Sequence, residues 1–553
     1  MSKYTIGVDF GTASGRAAVV DVKSGAELAD SVFEYPHGVM DSQLPDGTRL
    51  GFDWALQHPQ DYLDVLYNTI PAVMKESGVS PDDIIGMGID FTACTVLPVK
   101  KDGTPLCTLE KYKSEPNAYV KLWKHHAAQD KANLINEKAN EMGEEWIKRY
   151  GGKVSSEWEL PKVWQILDES PEIYADADYI VEAADWVTWQ LCGVLGKNTC
   201  CAGYKGLWHH KEGYPSKEFL RSLDPRLENF VEEKLNYPIV QLCSKVGGLT
   251  KEMAQKLGLN EGTTVTAPII DAHAAFPAVK ITKPDTLLAI MGTSTCHIIV
   301  SEEEHLVPGI SGVVAGGVYP GLYAYEAGQA CVGDHFSWFV ENCVPASYYN
   351  EAKEQGINIH KYLRQKAEVQ KPGQSGLIAL DWWNGNRSVL VDGDLTGMML
   401  GMTLRTKPED MYRALIEATA YGTRKIVETY KSNGVKVDEI IASGGISQKD
   451  PMTMQIYADV LNLPIKIAGT TQCGALGSAI YAAVAAGEEN GGYADIFTAA
   501  GAMGKLKDTV YTPNQENVEI YNTLYEEYNI LHDYFGKGAN DVMKRLKNLK
   551  KSI

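Results

Sequence analysis

The sequence predicts an α/β protein built from two like domains that share a cleft. Three observations carry this expectation. The chain opens with apolar residues at 6–8, a turn-rich Asp9-Phe10-Gly11-Thr12-Ala13-Ser14-Gly15, and apolar residues again at 17–20, which reads as a β-hairpin with a Gly/Thr/Ser tip. Nearly half a chain later Leu287-Leu288-Ala289-Ile290-Met291-Gly292-Thr293-Ser294-Thr295 repeats the arrangement before Ile298-Ile299-Val300, and internal recurrence of this kind is a fold-level signal. Finally, 553 residues of ordinary globular composition, 44% hydrophobic and 22% charged, are enough for two or more cores.

One such tip alone reads as an ordinary turn, and the second copy is what gives the pair weight. Glycine lets backbone N–H groups approach an anion closely, and Thr and Ser hydroxyls add donors without bulk. Gly11, Thr12, Gly292 and Thr293 are therefore candidate phosphate contacts, with Arg16 in the same first hairpin. A carboxylate beside phosphates makes sense chiefly if a divalent cation lies between them, so Asp9 is a candidate metal ligand. If each domain presents its hairpin to one cleft, a polyphosphate is held from both sides and closure expels water. The G-x-x-x-x-G-K-[ST] loop of the other large nucleotide-binding class is absent from the sequence. The two loops resemble those of the sugar kinase, Hsp70 and actin superfamily.

Composition excludes several classes. A formal net charge of −19 opposes nucleic acid and anionic membrane surfaces. The basic stretch at 544–551 reads as a solvated helical end. The first strand follows the initial Met at once, and no apolar run reaches membrane-spanning length, so a cytoplasmic protein is expected. Ten cysteines are dispersed without a C-x-x-C pair, and neither a zinc site nor a disulfide is expected, Cys200-Cys201 included.

Taken in order, residues 59–78 show apolar spacing of one helical face, with Pro59 in the first turn, Gly78 at the end and a kink at Pro71. Ile84 to Ile89 reads as a buried strand ending at Asp90-Phe91-Thr92-Ala93. Ligands bind at the carboxyl ends of α/β strands, so Thr92 and Ala93 are candidates for a pocket wall, a plain turn being the alternative. Residues 112–150 are helical in character, and adjacent His125-His126 would point to different sides of such a helix, which argues against a metal pair. The Trp-rich helix start at 155–167 suits a carbohydrate cleft, or else a packing helix. Lys205 lies in a turn between small and aromatic residues. At 265–271 an apolar strand delivers Asp271, placed to take a proton from a hydroxyl attacking a γ-phosphate, or to cap the following helix. His273 reads as structural. Glu326 closes a strand near Gly328 and could accept sugar hydroxyls. Residues 439–451 read as strand, Gly444-Gly445 turn and helix start with Asp450 as cap, and the bare glycines let backbone lie flat against adenine. The small-residue helix at 472–486 would pack on that turn, and the Tyr-rich helix at 514–534 reads as structural.

Over essentially the whole chain, Asp9-Phe10-Gly11-Thr12, the 157–164 segment, Asp271-Ala272-His273-Ala274, Met291-Gly292-Thr293-Ser294, Gly393-Asp394-Leu395-Thr396-Gly397 and Ser443-Gly444-Gly445 resemble, in order, the FGGY carbohydrate kinases. The resemblance implies two ribonuclease H-like domains, placed at 1–280 for sugar and 281–553 for ATP, with the catalytic cleft between them. It implies ATP and Mg²⁺, and phosphorylation of a ketopentose. Asp271 matches the family's general base and, with Asp9, would stand beside the metal. Thr92, Ala93, Lys205 and Glu326 would line the sugar pocket, while Gly444, Gly445, Gln329 and Lys449 fall at the nucleotide end. Lys449 departs from the Asn many members carry there. A homodimer is compatible with the family, and the residues themselves say nothing of it. The rival readings are a sister kinase acting on xylulose, ribitol, fuculose or glycerol, and a non-catalytic nucleotide-dependent regulator or chaperone-like ATPase. Asp271 together with both phosphate loops argues against the latter.

Overall fold

In the computed structural model, which describes residues 2–552, the opening hairpin pairs Tyr4–Phe10 antiparallel with Ser14–Asp21, Asp9 lying opposite Arg16. The first strand also runs parallel to Ile84–Phe91, which sets Asp9 beside Asp90. The seven-stranded first sheet has the order Lys245–Gly248, Thr264–Thr266, Ile84–Phe91, Tyr4–Phe10, Ser14–Asp21, Glu27–Glu34, with Ile269–Ile270 paired to the last residues of Ile84–Phe91. A second seven-stranded sheet has the order Leu506–Tyr511, Ile465–Ala468, Glu439–Ser443, Thr286–Met291, Thr295–Ser301, Tyr323–Gln329, ending on Gly312–Ala315. Neighbour for neighbour, the first six strands of the two sheets pair in the same sense. The recurrence seen in the hairpins is thus a duplication of a whole α/β unit, and each Gly-Thr tip occupies the same place in its sheet.

The two units are locked together through glycine. Helix Cys473–Ala486 lies in sequence beyond most of the second sheet, yet it packs on the first sheet's central strands and on helix Asp271–Ala278. A Cβ at Gly7 would fall 1.8 Å from Ala475 O, one at Gly88 2.1 Å from Ser478 O, and one at Gly477 1.7 Å from Ala274 O. Leu476, Ile480 and Tyr481 of this helix are buried, each contributing roughly 1.5–3 kcal/mol through burial. The expected packing of this helix on the Gly444-Gly445 turn is corrected accordingly: its main contacts are with the first sheet, and it meets the strand before that turn where Cys473 Sγ lies 3.3 Å from Ser443 Oγ.

Between the first strands and Lys245 the chain builds a subdomain on a small sheet of Leu56–Gln57, Val120–Lys121, Val96–Val99 and Tyr179–Glu182. Buried Trp146, Trp158 and Trp164 form its core with Tyr150 and Phe219, and the Lys205 ammonium stands 5.6 Å over the Trp158 ring. The stretch 112–150 is less helical than its composition suggests. Its only long helix is Gln129–Met142, and His125 and His126 sit in a turn before it. His125 is buried, Nε2 2.8 Å from Gln165 Oε1, and His126 Nδ1 lies 3.2 Å from Ser156 Oγ.

The Tyr-rich helix Gln515–Gly536 buries Tyr521, Tyr525 and Tyr528 in the second unit's core. The basic C-terminal helix Val542–Ser552 is docked and not merely solvated: Lys544 pairs with Asp392 at 2.6 Å and Lys547 with Asp394 at 3.0 Å. All ten cysteines are free thiols. No described helix is long and apolar enough to cross a membrane.

Candidate active site

The tip of the first hairpin is fastened from outside. Gly11 N–H donates to Ser14 O at 3.0 Å. Tyr35 Oη donates to Gly11 O at 2.9 Å and Gln57 Nε2 to Thr12 O at 2.8 Å. Trp123 Nε1 donates to Thr12 Oγ1 at 3.1 Å, which leaves the Thr12 hydroxyl hydrogen to be given elsewhere. Arg16 Nε is buried with no hydrogen-bond partner among the described residues, the state of a group built for an anion.

Three carboxylates stand at the ends of neighbouring parallel strands. Asp9 and Asp90 are neighbours across the sheet, and Gly474 brings helix Cys473–Ala486 so near that a Cβ there would lie 3.0 Å from Asp9 Cγ and 3.1 Å from Asp90 Oδ1. Asp90 is fully buried and its Oδ2 accepts from Ser478 Oγ at 2.6 Å. Burial, then the charge of Asp9, holds its carboxyl well above the usual carboxylate range. Asp271 begins helix Asp271–Ala278, directly after Ile269–Ile270. It is not the residue before that helix, as a capping role would require; its Oδ1 accepts the N–H of Ala272 at 2.6 Å. Burial and Asp9, with Glu326 adding to them, raise it to about 7 against the pull of Ala272 N–H and Lys205.

The sugar-side candidates form a second cluster. Lys205 caps helix Thr199–Tyr204, and its carbonyl accepts the N–H of Glu159 at 3.2 Å, which turns the side chain inward. Its buried ammonium lies 3.4 Å from Glu326 Oε1 and 3.5 Å from Oε2, joining the two halves of the chain. Glu326 stands in the middle of Tyr323–Gln329 and not at its end. Burial pushes its carboxyl up, but Lys205, then Arg387 and His273, pull it down to about 2. His273 Nε2 lies 3.4 Å from Glu326 Oε2, and burial lowers its pKa to about 4, so the ring is neutral at pH 7. Thr92 Oγ1 is 3.0 Å from Thr95 Oγ1, which turns that hydroxyl to its own loop, and half-buried Ala93 adjoins the cores of both the subdomain and the junction.

The second hairpin tip rests on helix Gly333–Cys343. Gly292 N–H donates to Ser294 O at 2.9 Å, Val332 N–H to Thr293 O and Gly333 N–H to Gly292 O, both at 2.9 Å. Thr293 is exposed. Gly444 sits against the base of this hairpin with φ +88°, where a Cβ would meet Met291 O at 2.3 Å, while a Cβ on exposed Gly445 would meet nothing. Gly444→Ala must leave this glycine-favouring conformation (ψ 172°) or part the strands, at ~1–3 kcal/mol; a nucleotide KM raised roughly tenfold is expected from steady-state kinetics. Lys449 ends the short helix Gly445–Lys449 and is exposed. Gln329 departs from its expected place among the nucleotide contacts. Both amide hydrogens are engaged, by Asp381 Oδ2 and Thr419 O at 2.8 Å each, and Oε1 accepts from Thr423 Oγ1 at 2.8 Å, so it is a core residue of the second unit.

Among the described residues one His/Asp group gathers closely enough for a metal, His37, His58 and Asp61. The two rings stack in parallel at 4.3 Å, His37 Nδ1 lies 2.6 Å from Asp61 Oδ1, and His58 Nδ1 accepts the N–H of Gln60. Both Nδ1 atoms are thus engaged within the protein, and we assign no ion.

Sequence reading missed Asp90 and Arg387. Asp90 ends an apolar strand as Asp9 and Asp271 do, and that shared position was the available signal. Arg387 lies in an irregular loop far along the chain from Glu326, and nothing in its neighbours marks it.

Two duplicated α/β units, paired Gly-Thr tips and an acid cluster with a Lys–Glu pair spanning both halves define a sugar-kinase architecture. Residues 4–276 match the N-terminal domain of the FGGY family of carbohydrate kinases and residues 287–486 its C-terminal domain; the chain belongs to this family and is a carbohydrate kinase. Among curated relatives, a ribulokinase from Halalkalibacterium halodurans is 57% identical over 99% of this chain and 98% of its own, and one from Geobacillus thermodenitrificans 56% identical over 100% and 98%. The solved xylulose kinase of Rhodospirillum rubrum shares the fold at a TM-score of 0.78 and 21% identity, over 96% of this chain and 98% of that one.

Proposed function

We propose that the protein transfers the γ-phosphate of ATP to the terminal hydroxyl of L-ribulose, giving L-ribulose 5-phosphate. The observation that carries this reading is Asp271, held half-buried between Asp9 on one side and Lys205–Glu326 on the other, with a pKa raised to about 7. A carboxylate raised by burial is a stronger base than a free one, and its position at a strand end suits a hydroxyl deprotonated as it attacks in line. Lys205 and Glu326 bind and orient the sugar. Thr12 and the backbone N–H groups of the Gly-Thr tips take the phosphate charge, with Arg16 beside them. Gly444 and Gly445 offer the flat turn for adenine. The carboxylate oxygens of Asp9 and Asp271 are hard donors that fit Mg²⁺, which would supply charge neutralisation on the phosphates. The full-length likeness to ribulokinases supports the choice of ketopentose over the other sugars. The relevant test is ADP release measured with a panel of ketopentoses and polyols. Release with L-ribulose well above all others is expected; release without any sugar, or a preference for xylulose or glycerol, refutes the reading.

A further inference from the structure

The sugar end of the site holds a cation that this mechanism does not use. Arg387 turns inward from the loop after Trp382-Trp383, and its Nη2 meets Glu326 Oε1 at 2.5 Å. The side chain lies along Gly328, where a Cβ would come 3.0 Å from Nη1 and 3.2 Å from Cδ. The loop is held in that posture. Gly328 N–H donates to Ser388 Oγ at 3.2 Å, Asn386 and Asp392 exchange backbone hydrogen bonds of 2.9 and 2.8 Å, and Asn386 Oδ1 accepts the N–H of Leu390 at 2.9 Å. From outside, the C-terminal helix grips the same loop through Lys544–Asp392 and Lys547–Asp394, and Lys153 Nζ, from the first half, donates to Val391 O at 2.9 Å.

We propose that Arg387 is a positioning residue for sugar recognition: it anchors Oε1 of Glu326, so that Oε2 is presented to a sugar hydroxyl as an acceptor. This rests on the ketopentose kinase reading above. A guanidinium fixes a carboxylate in a plane as an ammonium cannot, and Lys205 alone, at 3.4 and 3.5 Å from the two oxygens, does not choose between them. The charge balance agrees. Around Glu326 stand Lys205, Arg387 and neutral His273, with Cys296, Tyr204 and Tyr430 all kept uncharged by burial. Without Arg387, burial weighs more heavily, and the carboxyl takes up a proton at higher pH than before.

The test compares Arg387→Met and Arg387→Lys with the wild-type enzyme. Arg387→Met is expected to raise the L-ribulose KM roughly 10- to 100-fold, the scale of a hydrogen bond to a buried charge, with the ATP KM moved less than about twofold because the nucleotide lies elsewhere. Arg387→Lys recovers part of the loss. Calorimetric sugar binding without nucleotide should show a loss, relative to wild type, larger at pH 5 than at pH 8. Should Arg387→Met not fold, Arg387→Lys carries the test alone, with a sugar KM raised several-fold against an unmoved ATP KM. An unchanged sugar KM, or an ATP KM and thermal midpoint that shift along with it, overturns the proposal while the substrate reading stands. Wild-type enzyme that phosphorylates no ketopentose overturns both.

Discussion

Asp271→Asn is expected to bind the ketopentose and fail to phosphorylate it. The amide is isosteric and its Oδ1 can still accept the Ala272 N–H that Asp271 accepts at 2.6 Å, so helix Asp271–Ala278 keeps its start. What is lost is the basic oxygen. General-base catalysis contributes typically ~10²–10⁴-fold, and kcat should fall by that much while the sugar dissociation constant, measured by calorimetry, stays within a few-fold. The pH profile separates this from a packing defect. Burial and Asp9 raise the wild-type carboxyl above the usual carboxylate range, so wild-type kcat/KM should fall as the pH drops through that raised pKa and the base takes up its proton. The residual rate of the variant should be flat over the same interval. Near-normal turnover in the variant removes Asp271 from the role.

Gly477→Ala, a change of one methyl group remote from any ligand, should cost both stability and activity. Its Cβ would lie 1.7 Å from Ala274 O and 2.6 Å from Ala274 C. Both are backbone atoms of the helix that carries Asp271, so no side chain can move aside and the two helices must separate. Alanine gains up to ~1 kcal/mol of helix propensity over glycine, and overpacking of this severity costs ~1–3 kcal/mol or more. A net loss of stability is expected, read as a thermal midpoint several degrees lower. Displacing Asp271 by about 1 Å can cost roughly 10²-fold in rate, so kcat should fall even at temperatures where the variant is folded. Gly393→Ala, whose Cβ would meet nothing within 4 Å, is the control and should leave stability unchanged. A fully stable and active Gly477→Ala would mean that the two helices are not in the close contact described.

The two predictions rest on different kinds of knowledge. Asp271 was legible because an apolar strand ending in an acid ahead of small residues is a local pattern, and chemistry at strand ends is a general property of α/β sheets. The Gly-Thr hairpins, the helix Pro59–Ser77 with Gly78 as its left-handed cap, and the cap by Asp450, whose carboxylate accepts the Thr453 N–H, were legible for the same reason: turns, caps and periodicities are written within a few residues. Gly477 could be read only as a small residue in a helix, with a neighbour supplied by guess. The Gly444-Gly445 turn touches the start of that helix at most, through Ser443 and Cys473, because which helix faces which sheet is decided by long-range packing.

Local spacing therefore determined the strands, the Gly-Thr tips and the strand-end position of Asp271. The tertiary structure alone decided that helix Cys473–Ala486 crosses to the first sheet, that Gln329 belongs to the core of its unit, and that Arg387 comes to Glu326. Each of these depends on buried polar atoms finding partners tens to hundreds of residues away, and a sequence lists such atoms without saying which will meet.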